Sequence, residues 1–265
     1  MIKARELWNL INICATYAAE PGIFFIDNAN EMTNAKAYGQ KVVATNPCGE
    51  QPLAPYSVCN LAAVNLAKFA NKETKTVDFE ALRETVKVGV RMQDNVIDAT
   101  PYFLEANKKQ ALGERRVGLG VMGLADLLIY CEKEYGSEEG NKLVDEVFQT
   151  IAVAAYEESI ELGKERGSFP FLQGANDEET KRLRAAFTNT GFMRKMPEHI
   201  RVGVLEHGIR NSHLLTVAPT GSTGTMVGVA TGLEPYFSFT YYRSGRLGKF
   251  MEVKAEIVQE YLAAH

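Results

Sequence analysis

The sequence predicts an α/β fold with a parallel sheet. Three observations carry that expectation: long stretches of helical periodicity opened by capping residues, short apolar runs between them, and no repeat or Gly/Ser linker dividing the chain. At 265 residues the chain is expected to form a single unit over 1–265, with no second domain.

In order, Leu7, Leu10, Ile11, Cys14 and Ala18 recur at helical spacing until Pro21-Gly22, with Cys14 expected in the core. Ile23 to Ile26 reads as a short buried strand and is followed by a polar loop from Asn28. A Pro- and Gly-rich segment, Thr45 to Tyr56, precedes partial alternation over Ala62 to Ala67. Asp78 is placed to cap a helix to Ile97, Ser137 one to about Glu165, and Asp177 one to about Phe187. His213 to Ala218 reads as a strand leading into a Thr/Gly loop from Pro219. Phe237 to Tyr241 is a further strand, and Lys249 to Ala264 a closing helix.

Composition narrows the function classes. With 46% hydrophobic and 23% charged residues the chain is an ordinary globular one, and a net charge of −4 offers no basic field for nucleic acid. The longest stretch free of Asp, Glu, Lys and Arg, Asn211 to Leu233, is broken by glycines and Pro219, so no membrane span is expected. Lys3, Arg5 and Glu6 follow Met1 without an apolar run, so the expected location is the cytoplasm. Cys14, Cys48, Cys59 and Cys131 are too scattered for a disulfide scaffold. His199, His207, His213 and His265 form no pair at metal-ligand spacing, so no metal site is expected.

Chemistry concentrates in Thr45-Asn-Pro-Cys-Gly-Glu-Gln-Pro-Leu53 and its continuation to Cys59. Its prolines and Gly49 forbid a helix, so the segment is extended or looped. If extended, Asn46, Cys48 and Glu50 share one face at intervals of about 6.5–7 Å, enough to span a sugar ring. By spacing alone the plainer reading is a surface loop with an incidental cysteine. A zinc deaminase site fails, since the next cysteine is eleven residues on.

These residues resemble the active-site segment of the ribonucleotide reductase large subunit, most closely the adenosylcobalamin-dependent class. Further segments agree in order: Gly22-Ile-Phe-Phe-Ile-Asp-Asn28, Arg115-Arg-Val-Gly-Leu-Gly-Val-Met-Gly-Leu-Ala-Asp126, Lys164-Glu-Arg-Gly-Ser-Phe-Pro170, and Arg210 to Ser222 running on to Gly232-Leu-Glu-Pro235. The resemblance covers nearly the whole chain. It implies part of a ten-stranded α/β barrel with the active-site cysteine on a central finger loop.

By the same resemblance, Cys48 is the thiyl-radical residue, Glu50 the base for the 3′-hydroxyl, Asn46 the amide that holds the sugar hydroxyls, and Cys59 one of two reducing thiols. Pro219, Thr220, Gly221, Ser222 and Thr223 match the loop for the nucleotide's phosphates; the glycines let backbone N–H groups converge. The implied activity is reduction of ribonucleotides to deoxyribonucleotides. The implied radical source is adenosylcobalamin, the alternative being a separate iron or manganese subunit, because those classes share the Asn-x-Cys-x-Glu core. Implied partners are a ribonucleotide, a thioredoxin-like reductant, and a complementary half-chain or second copy, since family chains are much longer and carry the other redox cysteine upstream. A non-catalytic nucleotide-binding or assembly module remains the alternative.

Three motifs are set aside. Gly118-Leu-Gly-Val-Met-Gly123 fits a dinucleotide fingerprint, but charged residues precede it, so its glycines are expected to serve close packing. Tyr241-Tyr242 reads as alternating strand aromatics, and Asp126, Glu132 and Glu134 as a solvated face.

Overall fold

The computed structural model describes residues 2–245 and 248–264. Helix α1 (Ala4–Ala18) and short α2 (Ile26–Met32) lead into a hairpin of β1 (Ala44–Thr45) and β2 (Pro52–Leu53). Strand β3 (Leu61–Asn65) is followed by a small hairpin, β4 (Ala70–Asn71) with β5 (Thr76–Val77). Then come α3 (Phe79–Ala99), α4 (Glu105–Glu114), β6 (Gly118–Met122), α5 (Leu124–Tyr130), the long α6 (Glu138–Arg166), α7 (Asp177–Thr188) and α8 (Glu198–His207). Short α9 (Gly221–Met226), a hairpin of β7 (Thr240–Gly245) and β8 (Gly248–Lys254), and α10 (Glu256–Ala264) complete the chain.

The α/β expectation holds. β3 pairs in parallel with β6, joined by the crossover through α3 and α4 that parallel pairing requires. The 213–216 segment lies along β6's other edge: Val117 N–H donates to His213 O at 3.0 Å, Leu119 N–H to Leu214 O at 2.8 Å, and Thr216 N–H to Leu119 O at 3.1 Å. Leu215 makes an isolated parallel bridge to Leu119, so the strand expected over 213–218 is shortened to the bonds of 213–216 along that edge. Among the described residues the sheet is open, not closed into a barrel. Leu82, Val86, Val90 and Ile97 of α3 and Val147, Ile151, Ala154 and Ala155 of α6 form the core with Leu119 and Val121 of β6.

Caps set the long helices as expected. The Asp78 carboxylate accepts Ala81 N–H and the Ser137 hydroxyl accepts Gly140 N–H. For α7 the cap is Asn176, one residue before Asp177.

Several expectations fail because of which elements do or do not lie alongside. Residues 23–25 form no strand and stay exposed, because no other strand lies beside them; the polar loop expected from Asn28 is instead part of α2. α1 forms as predicted but buries none of its residues, so Cys14 is half-buried, not in the core. The last strand starts at Thr240, three residues late, and the predicted closing helix begins only at Glu256, because 248–254 pair with β7. No helix among the described residues is long and apolar enough to cross a membrane.

Candidate active site

The Pro-rich segment folds as a tight hairpin, not an extended face. Pro47 and Cys48 form the turn and Gly49 takes φ +85°, a left-handed conformation that favours glycine. Asn46 closes it: its Oδ1 accepts Gln51 N–H at 2.9 Å, its N–H donates to Gln51 O at 3.2 Å, and its carbonyl accepts Gly49 N–H at 3.0 Å. Asn46, Cys48 and Glu50 therefore share a turn, with Cys48 exposed at the tip.

Glu50 stands where the hairpin returns. Its Oε2 is out of solvent and has no hydrogen-bond partner. It lines a cavity of about 210 Å³ with Arg116, His213, Tyr156, Thr33 and Asn34. His213 Nε2 lies 3.1 Å from Thr33 Oγ1 and 3.4 Å from Arg116 Nη2, and its Nδ1 lies 2.9 Å from Ser212 Oγ. Burial, then the Arg116 charge, holds this imidazole well below its usual pKa, so it is neutral at pH 7.

Cys59 lies two residues ahead of β3, exposed and unbridged to Cys48. Partial burial of the thiol, then the Glu50 carboxylate, pushes its pKa up; Arg116 opposes the shift and Cys48 adds to it. Glu50, Cys48 and the positive Arg116 are thus each near enough to act on the Cys59 thiol.

The 219–223 loop follows Thr216 at the carboxyl side of the parallel sheet. The left-handed residue is Thr220 (φ +51°), not Gly221, whose missing Cβ faces open space with nothing within 4 Å. Gly221, Ser222 and Thr223 are exposed. Thr220 Oγ1 accepts Gly232 N–H at 2.9 Å, closing the loop. Asp126 supports the return: it is 1% exposed and accepts Ala230 N–H at 2.8 Å and the Tyr236 hydroxyl at 2.5 Å. The solvated face expected for Asp126 is wrong; only Glu132 and Glu134 are exposed, because Asp126 points at backbone that folds over α5.

Sequence reasoning missed Asp94. With no exposure, it accepts Arg115 Nε and Asn211 Nδ2 at 2.9 and 3.0 Å, Arg210 Nε at 3.3 Å and Arg166 Nη1 at 3.4 Å. Segments quoted above around 115, 166 and 210 thus converge on one carboxylate. The signal was present: an acid on the apolar stripe Val86, Val90, Ile97 of a predicted helix. Among the described residues no group of three His, Cys, Asp or Glu side chains is placed to hold a metal ion.

Comparison with known proteins gives the family. The family described as "Ribonucleotide reductase, barrel domain" matches residues 1–264. A vitamin B12-dependent ribonucleoside-diphosphate reductase of Thermoplasma acidophilum is 38% identical over 242 residues, covering 91% of this chain and 28% of that protein. Its namesake in Mycobacterium tuberculosis is 36% identical, covering 92% of this chain and 31% of its own length. A ribonucleoside-diphosphate reductase large chain of Cryptosporidium parvum is 32% identical over 98% of this chain and 33% of that one. The chain spans a third or less of the length of these relatives.

Proposed function

We propose a function from one premise: this chain belongs to the ribonucleotide reductase barrel-domain family. It is the segment of a ribonucleotide reductase that carries the radical cysteine, the base and one reducing thiol, and it reduces a ribonucleotide to its deoxy form. The observation that carries this reading is Cys48 at an exposed tip two residues before Glu50, whose buried Oε2 has no partner, with both near enough to Cys59 to act on its thiol.

The residues then act in sequence. The Cys48 thiyl takes the 3′ hydrogen of the ribose, and Glu50 takes the 3′-hydroxyl proton. One of the two protons of the reducing thiols goes to the 2′-hydroxyl, which leaves as water, and Glu50 returns its proton to the 3′ oxygen as the ring is reduced. Cys59 and a second cysteine outside this chain give two electrons and two protons and become a disulfide; the 3′ hydrogen returns from Cys48, regenerating the thiyl. Asn46 holds the sugar hydroxyls, and Pro219 to Thr223 hold the phosphates, where Gly221 leaves room for an anion to approach the backbone. Neutral His213 and Arg116 line the chamber beyond Glu50.

The names of the first two relatives support adenosylcobalamin as the radical source. The open surroundings of Gly49 and the exposure of Cys48 fit a large group approaching the tip from outside this segment. When bound, that group supplies the one-electron oxidation that makes the thiyl.

The working enzyme also needs the remaining half-barrel. Exposed Leu7, Trp8, Leu10 and Ile13 on α1, with Ile23 and Phe25 beyond it, form an apolar surface suited to that packing. A thioredoxin-like dithiol is the external reductant. The direct test is deoxynucleotide formation by the full-length chain with adenosylcobalamin and a dithiol. Cys48→Ser is expected to form no product while binding nucleotide as the parent does, and Glu50→Gln to bind and stall. Product from Cys48→Ser at the parent's rate removes Cys48 from the radical role.

A further inference from the structure

The extended segment that returns from the finger turn, residues 50–53 with β2 at its end, uses its two edges differently. Successive carbonyls of an extended strand point to opposite edges. The carbonyls of Gln51 and Leu53 go to the hairpin partner, accepting Asn46 N–H at 3.2 Å and Val43 N–H at 2.9 Å. Those of Glu50 and Pro52 face the other way, where no strand lies. Two side chains take them: Thr216 Oγ1 donates to Glu50 O at 3.1 Å, and Arg116 Nη1 donates to Pro52 O at 3.3 Å.

We propose that Thr216 and Arg116 are positioning residues, a side-chain clamp that sets where the Glu50 carboxylate stands. The inference rests on the reading of Glu50 as the base.

Both donors are themselves fixed. Thr216 is 8% exposed and its backbone N–H is bonded to Leu119 O, so its hydroxyl is carried by the parallel sheet. Gly118 and Gly120 make the approach possible. A Cβ at Gly118 would strike the Gln51 side-chain amide and the Thr216 methyl, and one at Gly120 the Thr216 carbonyl. Arg116, on the approach to β6, is 6% exposed and also contacts Glu114 Oε2 at 3.4 Å. The finger is therefore seated on rigid elements through two consecutive same-edge carbonyls, which fixes a functional side chain more tightly than its two-residue hairpin strands can. The glycines of the apparent dinucleotide fingerprint have their use here, in letting the finger dock.

The test compares Thr216→Val, which keeps the shape and loses the hydroxyl, with Thr216→Ser, which keeps the hydroxyl, in the full-length chain. Thr216→Val is expected to lower kcat on the order of 10- to 100-fold, as a displaced base does, with KM within about twofold of the parent. Thr216→Ser should recover most of kcat. Amide exchange over 48–51 should quicken in Thr216→Val and not in Thr216→Ser. A Thr216→Val enzyme at the parent's kcat, or equal losses in both variants, overturns the clamp. If the parent forms no deoxynucleotide, the reading of Glu50 fails separately, and exchange alone then decides: an unchanged rate over 48–51 in Thr216→Val overturns the clamp. Should Thr216→Val not fold, Arg116→Lys, which keeps charge and loses the planar fork, is judged by the same measurements.

Discussion

The Asp94 carboxylate accepts the Arg115 guanidinium at 2.9 Å with both side chains almost wholly out of water, at 0% and 4% exposure. Arg115 is also the residue at which α4 ends, in the left-handed conformation with φ +45°. The pair fixes the point where the chain leaves α4 and enters β6, immediately before Arg116.

Removing the carboxylate should therefore cost stability more than chemistry. Asp94→Ala leaves the buried Arg115 guanidinium without its buried partner, a loss of about 3–5 kcal/mol by the usual cost of breaking a buried pair. Denaturant unfolding measures it. A loss under about 1 kcal/mol would mean that Asp98, which also pairs with Arg115 at 2.8 Å, suffices alone.

Cys59 offers a pH test of the site's electrostatics. Burial and the Glu50 charge raise its pKa, so the thiol stays protonated to higher pH than a free cysteine. Glu50→Gln removes a negative charge that opposes the thiolate, so the pH midpoint of Cys59 alkylation should move down. Mass spectrometry reads the site; a midpoint that stays put or rises would separate Glu50 from Cys59.

Gly221→Val should weaken nucleotide binding without unfolding the protein. A Cβ there meets nothing within 4 Å, so the fold tolerates it, while its bulk would bar an anion from the backbone. Titration with a nucleotide and with its free nucleoside decides: binding of both unchanged from the parent would make 219–223 a plain turn.

A single turnover without external reductant should oxidise Cys59 to a disulfide with a cysteine outside this chain, leaving Cys48 free. Peptide mapping reads the bond. A Cys48–Cys59 link, or reduced Cys59 after stoichiometric product, would mean that the reducing thiol is assigned wrongly.

Trp8, the only tryptophan in the chain, is 51% exposed on the unpartnered face of α1. Its fluorescence, taken as the difference from Trp8→Phe, should shift to the blue when the proposed complementary half-barrel is added to residues 1–265. Equal emission would place the half-barrel contact elsewhere.

Local chemistry was enough to read the long helices, since Asp78 and Ser137 satisfy backbone donors within three residues of themselves. The same holds for the finger turn, where Pro47 fixes its own φ and Gly49 permits φ +85°, and for the ordered motifs that mark the family. Residues 23–26 show the limit. An apolar tetrapeptide becomes a strand only when another strand supplies its hydrogen bonds, and here none does. Residues 249–254 went the other way, drawn from a helical pattern into pairing with β7.

By itself, then, the sequence determined the family and singled out the residues proposed for its chemistry: Asn46, Cys48, Glu50 and Cys59, and the loop run from Pro219. Tertiary structure decided what surrounds them. Asp94 stands out in the sequence only as an acid on an apolar stripe, with no hint of its partners; Asp126 looks like any acid on a helix, and Thr216 like any strand threonine. Their roles arise because folding brings Arg115, Tyr236 and the Glu50 carbonyl to them from distant parts of the chain. A buried polar atom must find a partner, and which partner it finds is a property of packing that no local pattern encodes.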